Sequence, residues 1–157
     1  MGVITYSQEI PCTVAPARMF KALVLDSQNL LPKIIPQGIK SIEFIEGDGG
    51  VGSIKQTNFQ EGSPIKYVKH KIDAIDADNY CSKFTMIEGD GLGDKFEFVT
   101  HEYKLEPSGK GCVAKLTSHY HAKVDVNEEE IKGAEEKAKG TFLIVEQHLI
   151  ANPDLYA

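Results

Sequence analysis

The sequence predicts an α+β fold: a seven-stranded curved antiparallel sheet wrapped around a long C-terminal helix, with two short helices in a V. Three observations carry this expectation. Residues 127–152 hold the strongest helical periodicity in the chain. Seven runs of β-forming residues are separated by Gly, Pro, Asp or Asn clusters. The last six runs follow one another closely, with no room for crossover helices, which implies an antiparallel meander. Such a sheet has one face to cover, and only the last helix is long enough to cover it.

Taken in order, residues 3–11 alternate as a first strand. Pro16 opens an amphipathic run at 17–25, with Met19, Phe20, Leu23 and Val24 on its apolar side. Asp26-Ser27 caps a second short helix that ends before Pro36, with Pro32 inside it or at its end. Helices joined this tightly form a V. Residues 39–45 form a strand, and Gly47, Asp48, Gly49, Gly50, Val51 and Gly52 form a turn rich in residues that tolerate positive φ. Strands follow at 53–60, 65–74, 80–88, 96–105 and 112–124.

The last helix carries its own punctuation. Asn127 as N-cap with Glu130 three residues on forms a capping box, and Val126 with Ile131 forms a hydrophobic staple. Glu128, Glu129 and Glu130 suit the positive end of the helix dipole, and Asn152-Pro153 supplies a stop. Ile131, Ala134, Ala138, Phe142, Val145 and Leu149 fall on one stripe, with Glu128/Lys132 and Glu135/Lys139 as outer i,i+4 pairs. The first half of the helix is small (Gly133, Ala134, Ala138, Gly140) and the second is bulky (Phe142, Leu143, Ile144, Val145, Leu149, Ile150). The bulky half anchors the helix. The small half either leaves room beneath it or lets the sheet pack close.

Residues 1–157 read as one domain, large enough to bury a core. Composition is ordinary for a globular chain, with 41% hydrophobic and 25% charged residues. A net charge of −6 without a basic run argues against a surface that neutralises nucleic-acid phosphates. No apolar stretch reaches the length of a membrane span. The stretch from Met1 to Tyr6 lacks the features of a signal peptide, and Tyr6 stands where a myristoylation motif needs Ser or Thr. Cys12, Cys81 and Cys112 read as free thiols in a reducing compartment, so a cytoplasmic location is expected. A monomer without cofactor or metal is expected.

The glycine turn lacks the Lys-Ser/Thr and following helix of a phosphate-binding loop, because Gly52 is followed by Ser53-Ile54-Lys55 and a strand. It reads as a structural turn. One parity across the strands collects Lys55, Thr57 and Phe59; Ile65 and Tyr67; Ser82, Phe84 and Met86; Val99, His101 and Tyr103; Lys115, Thr117 and His119. Isolated polar groups beneath a helix are costly in a dry core and natural in an amphipathic pocket. His119 and His121 share a strand face, but no third metal ligand follows at recognisable spacing. No nucleophile elbow is present.

Several motifs together carry a resemblance that spans the chain. They are Met1-Gly-Val-Ile-Thr-Tyr6, Leu25-Asp26 with the residues to Lys33, Ile45-Glu-Gly-Asp-Gly-Gly-Val-Gly52, Tyr67-Val-Lys-His-Lys71, Ile87-Glu-Gly-Asp90, Ser118-His-Tyr-His121 and Ala151-Asn-Pro-Asp154. The sequence resembles the plant pathogenesis-related class 10 proteins, the Bet v 1 (birch-pollen major allergen) group. That resemblance implies the helix-grip fold and a cavity for small hydrophobic or amphipathic plant metabolites, such as flavonoids, cytokinins, brassinosteroids or abscisic-acid-like molecules. It also implies a role as an intracellular carrier or sensor in defence and stress response, and frequent allergenicity. By this resemblance Lys55 is the cavity-mouth lysine, while Ser82 and Phe84 stand where birch-type proteins often have tyrosines, and His101 is a further ligand contact. The ligand-binding set expected from pattern and resemblance is Lys55, Phe59, Tyr67, Ser82, Phe84, Val99, His101, Ala138, Thr141 and Phe142. The alternative that the resemblance implies is a ribonuclease using the glycine loop, Lys55, Glu97, Glu146 and His148, the last in place of a tyrosine.

Overall fold

The structure is a computed structural model that describes residues 2–90 and 92–157. Met1, the first residue of the N-terminal motif, lies outside the described residues. In chain order the elements are β1 (Gly2–Cys12), α1 (Pro16–Phe20), a π-type continuation (Lys21–Leu25), α2 (Ser27–Ile34), β2 (Ile39–Glu46), β3 (Ile54–Phe59), β4 (Tyr67–Asp76), β5 (Cys81–Gly89), β6 (Phe96–Ser108), β7 (Gly111–Ala122) and α3 (Glu128–Ala151). The strands form one antiparallel sheet in the order β1-β7-β6-β5-β4-β3-β2. β1 therefore pairs with the last strand, and α1 and α2 carry the chain from one edge of the sheet to the other.

The glycine stretch is the β2–β3 turn. Gly47, Gly49 and Gly52 have φ of 76°, 108° and 90°, where an L side chain is strained. A Cβ on Gly47 would also run into the side chain of the buried Ser53. The turn's amides are used internally: Gly49 N–H donates to Ser53 Oγ at 3.0 Å and Gly50 N–H to Asp48 Oδ1 at 3.3 Å. These groups hold the turn together.

The caps differ from expectation in detail. Asp26 occupies the N-cap position of α2, but its carboxylate accepts no backbone N–H there. It takes the Asn29 side-chain amide at 2.6 Å and the Tyr156 hydroxyl at 2.5 Å instead, so the C-terminal tail is tied to the V. Pro32 lies inside α2. In α3 the Asn127 side chain accepts from Glu129 N–H at 2.9 Å. The reciprocal half of the capping box is absent, because Glu130 pairs with Lys95 of the β5–β6 connection at 2.6 Å.

The inner stripe of α3 is Ile131, Glu135, Phe142, Val145, Glu146 and Leu149. Ala134, expected on it, is exposed, and Glu135, expected outside, is only 3% exposed. The bulky half is split as well: Leu143, Ile144 and Ile150 face outward. Two apolar clusters hold the helix. Phe142, Val145 and Leu149 pack with Ile10, Met19, Phe20, Leu105 and Leu116, while Ile131 packs with Phe96, Val99 and Tyr120, and Val126 lies against that second group. Between the clusters the link is polar: the Tyr120 hydroxyl donates to Glu135 Oε1 at 2.6 Å, and Gln8 Nε2 donates to Glu135 Oε2 at 3.4 Å. A buried carboxylate is tolerable only with such donors.

Candidate functional site

Cross-strand partners share a face of the sheet, so register decides which side chains look inward. Ile72, Phe84, His101, Ser118 and Tyr6 are successive partners across β4, β5, β6, β7 and β1. The burial pattern of β7 places Cys112, Ala114, Leu116, Ser118 and Tyr120 inside. Lys115, Thr117 and His119, expected inside, are therefore on the outer face. There Lys115 pairs with Glu106 at 3.1 Å, and His119 Nδ1 lies 3.0 Å from Thr5 Oγ1. His121, on the same face, stacks on Phe98 at 4.0 Å between ring centroids. The parity of β4 also corrects the expectation. Val68, His70 and Ile72 point inward, and Tyr67 points outward, its hydroxyl donating to Glu88 at 2.7 Å.

Under the V lies a cavity of about 160 Å³. Leu23, Val24, Ser27 and Leu31 close it from above. Ile42, Lys55, Thr57, His70, Ile72, Ser82, Phe84 and Tyr103 form its walls from β2 to β6. Of the expected ligand-binding residues, Lys55, Ser82 and Phe84 line it. His101 stands behind Phe84 at 5.1 Å between rings, with Nδ1 2.8 Å from Ser118 Oγ. Val99 and Phe142 belong to the two packed clusters. Phe59 lines a separate, open groove with Lys40, Asn58 and Gln60. Ala138 and Thr141 are half-buried on α3 outside this cavity, and the Thr141 hydroxyl is turned to Lys137 O at 3.1 Å. This cavity therefore lies beneath the V, and no residue of α3 is among those that line it.

The electrostatics of the cavity are unusual for so apolar a space. Lys55 Nζ donates to Ser27 Oγ at 2.7 Å, and no carboxylate lines the cavity among the described residues. Desolvation lowers the Lys55 ammonium to about 8. Desolvation likewise pushes His70 down to about 3, helped by the neighbouring His101 and Lys55, and pushes His101 down to about 4. Burial raises the Tyr103 hydroxyl to about 12. Near neutral pH the two imidazoles are thus neutral, and Lys55 is the one charged side chain among the lining residues.

The residues expected for ribonuclease chemistry stand apart. Lys55 is in the cavity, while Glu97 is exposed on β6. Glu146 Oε2 accepts Thr13 N–H at 2.9 Å in the packed end of the fold. Neither carboxylate lines the cavity with Lys55, as a shared acid–base step would require.

Ile42, Thr57, His70, Ile72, Tyr103 and the V residues are the lining groups that sequence reasoning did not assign to the ligand set. A signal for β4 was present: Lys69, Lys71 and Asp73 alternate with Val68, His70 and Ile72.

Major strawberry allergen Fra a 1.08 of Fragaria ananassa is 51% identical over 160 residues, covering 99% of this chain and 99% of the relative. The crystal structure of Ara h 8.0201 has a TM-score of 0.86 at 37% identity, covering 96% of this chain and 99% of that one. Norcoclaurine synthase from Thalictrum flavum, solved in complex with dopamine and hydroxybenzaldehyde, has a TM-score of 0.76 at 24% identity, covering 96% of this chain and 88% of that one. That last likeness is one of fold. The pattern of the pathogenesis-related protein Bet v 1 family matches residues 1–152, and with that match and these identities the chain belongs to this family.

Proposed function

We propose that this chain binds small hydrophobic or amphipathic plant metabolites in the cavity beneath the V, and acts as an intracellular carrier or sensor in defence and stress response. The observation that carries this reading is the cavity itself. Its wall is mostly apolar, with Lys55, Ser27, Ser82 and His70 as placed polar groups. That mixture is the usual make-up of a small-molecule site. A volume of about 160 Å³ favours a small planar ring system over a steroid skeleton. Phe84 and Tyr103, edge-to-face at 5.2 Å, offer ring faces and edges to such a ligand.

Titration with a fluorescent apolar probe, followed by displacement with flavonoids and cytokinins, tests the reading. Saturable binding that weakens in Phe84→Ala supports it. Absence of saturable binding with every probe sinks it.

A further inference from the structure

Lys55 differs from the ion-paired lysines of the surface. Lys69, Lys83, Lys95, Lys104 and Lys115 each meet a glutamate within 3.6 Å. Among the described residues Lys55 has only the Ser27 hydroxyl at 2.7 Å and the Phe44 ring at 5.9 Å. Groups that face it from the neighbouring elements are Phe44 of β2, His70 of β4, Ser82 and Phe84 of β5, and His101 and Tyr103 of β6. Every titratable one of these is uncharged near neutral pH. Among the described lining residues no carboxylate compensates an ammonium ion. A lysine desolvated in this way is the kind that acts as an amine nucleophile toward carbonyl compounds.

We propose that Lys55 captures small apolar aldehydes covalently and reversibly, as an imine formed inside the cavity. The inference rests on the cavity being a ligand site and names a chemical class for it. The step needs no oxidant or reductant. The neutral Nζ attacks the carbonyl carbon, and the C=O π electrons move to oxygen. One N–H proton passes to that oxygen, giving a carbinolamine. Ser27 Oγ, already bonded to Nζ, is placed to relay it. Loss of the hydroxyl with the remaining N–H proton releases one water and leaves the C=N bond. Hydrolysis reverses the sequence. The cavity volume of about 160 Å³ suits an aryl or short alkenyl aldehyde.

The experiment uses the full chain, benzaldehyde and cyanoborohydride, which reduces the imine to a stable secondary amine. Intact mass and peptide mapping then locate the adduct. At pH 7.5 the free-amine fraction of a group at about 8 exceeds that of an ordinary lysine by about two hundredfold. The expected result is one adduct at Lys55, formed at least about tenfold faster than on any surface lysine after allowing for its lower basicity. Its rate rises with pH and levels off above about 8. Lys55→Arg removes it, with Lys55→Met as the second variant if the guanidinium disrupts folding. Adducts spread evenly over surface lysines, or a pH profile of ordinary lysine, overturn the proposal. Probe binding to the unmodified protein separates the two failures. If the probe binds and Lys55 is not labelled, the capture step is wrong; if the probe does not bind, the cavity reading itself has failed.

Discussion

His70 and His101 make folding stability depend on pH in a window where few other groups titrate. Both rings are held neutral, with values of about 3 and 4 in the folded chain. In the unfolded chain each titrates near 6.5. The unfolded state therefore binds more protons below 6.5, so stability falls with acidification from about 6.5 toward 4. At pH 5.5 each unfolded histidine contributes about 1.4 kcal/mol to unfolding, because one pH unit below its pKa corresponds to 1.36 kcal/mol. That figure needs only that both folded values lie well below 5.5, which they do. Together the pair removes about 3 kcal/mol between pH 7.5 and 5.5, or roughly 6–12 °C in Tm for a chain of this size. Urea melts at pH 7.5, 6.5 and 5.5 read the slope directly. His70→Phe should halve it, and His70→Phe with His101→Phe should remove most of it. A stability that is flat across this range in the native sequence would refute the reasoning, because the rings would then be protonating inside the fold. Acidification within the same window should also release bound probe only to the extent that the protein unfolds.

Other substitutions test the helix and the cavity separately. Phe142→Ala, at a side chain 2% exposed, should cost about 3–5 kcal/mol in a urea melt, whereas Leu143→Ala on the outer face should stay within about 0.5 kcal/mol. Tyr120→Phe removes the donor to buried Glu135 and should cost about 1–3 kcal/mol by thermal unfolding. An unchanged Tm there would show that water replaces the hydroxyl. Ser82→Tyr projects a ring into the cavity wall and should abolish binding of the fluorescent probe while costing about 1–3 kcal/mol of stability.

Signals that depend on near neighbours in the chain were readable. Asn127 marked the start of α3, Asn152-Pro153 marked its end, and the Gly47 to Gly52 turn stood out by its four glycines, three of which take positive φ. Seven strands, two short helices and a long helix follow from that punctuation and from alternation. Phase was harder. Both faces of β7 mix polar and apolar residues, so Lys115 and His119 read as inward until their pairing with Glu106 and Thr5 placed them outside. Irregular pairing in β4, at Lys69/His70 and Ile72/Ala74, likewise hid that His70 and not Tyr67 reaches the interior. On α3, Glu135 looked like a surface partner of Lys139, yet its donors come from Tyr120 and Gln8, far away in sequence.

By itself, then, the sequence determined the order and type of the elements, the V and the long helix. These depend on propensity, caps and periodicity, which act over a few residues. Tertiary structure alone decided that the cavity lies beneath the V, that Ala134 faces solvent while Glu135 is buried, and that Lys55 has no acidic partner among the described residues. The physical reason is that burial and the pairing of charges are set by whatever strand or helix lies opposite, and a single chain position carries no record of that neighbour until the sheet has closed on the helix.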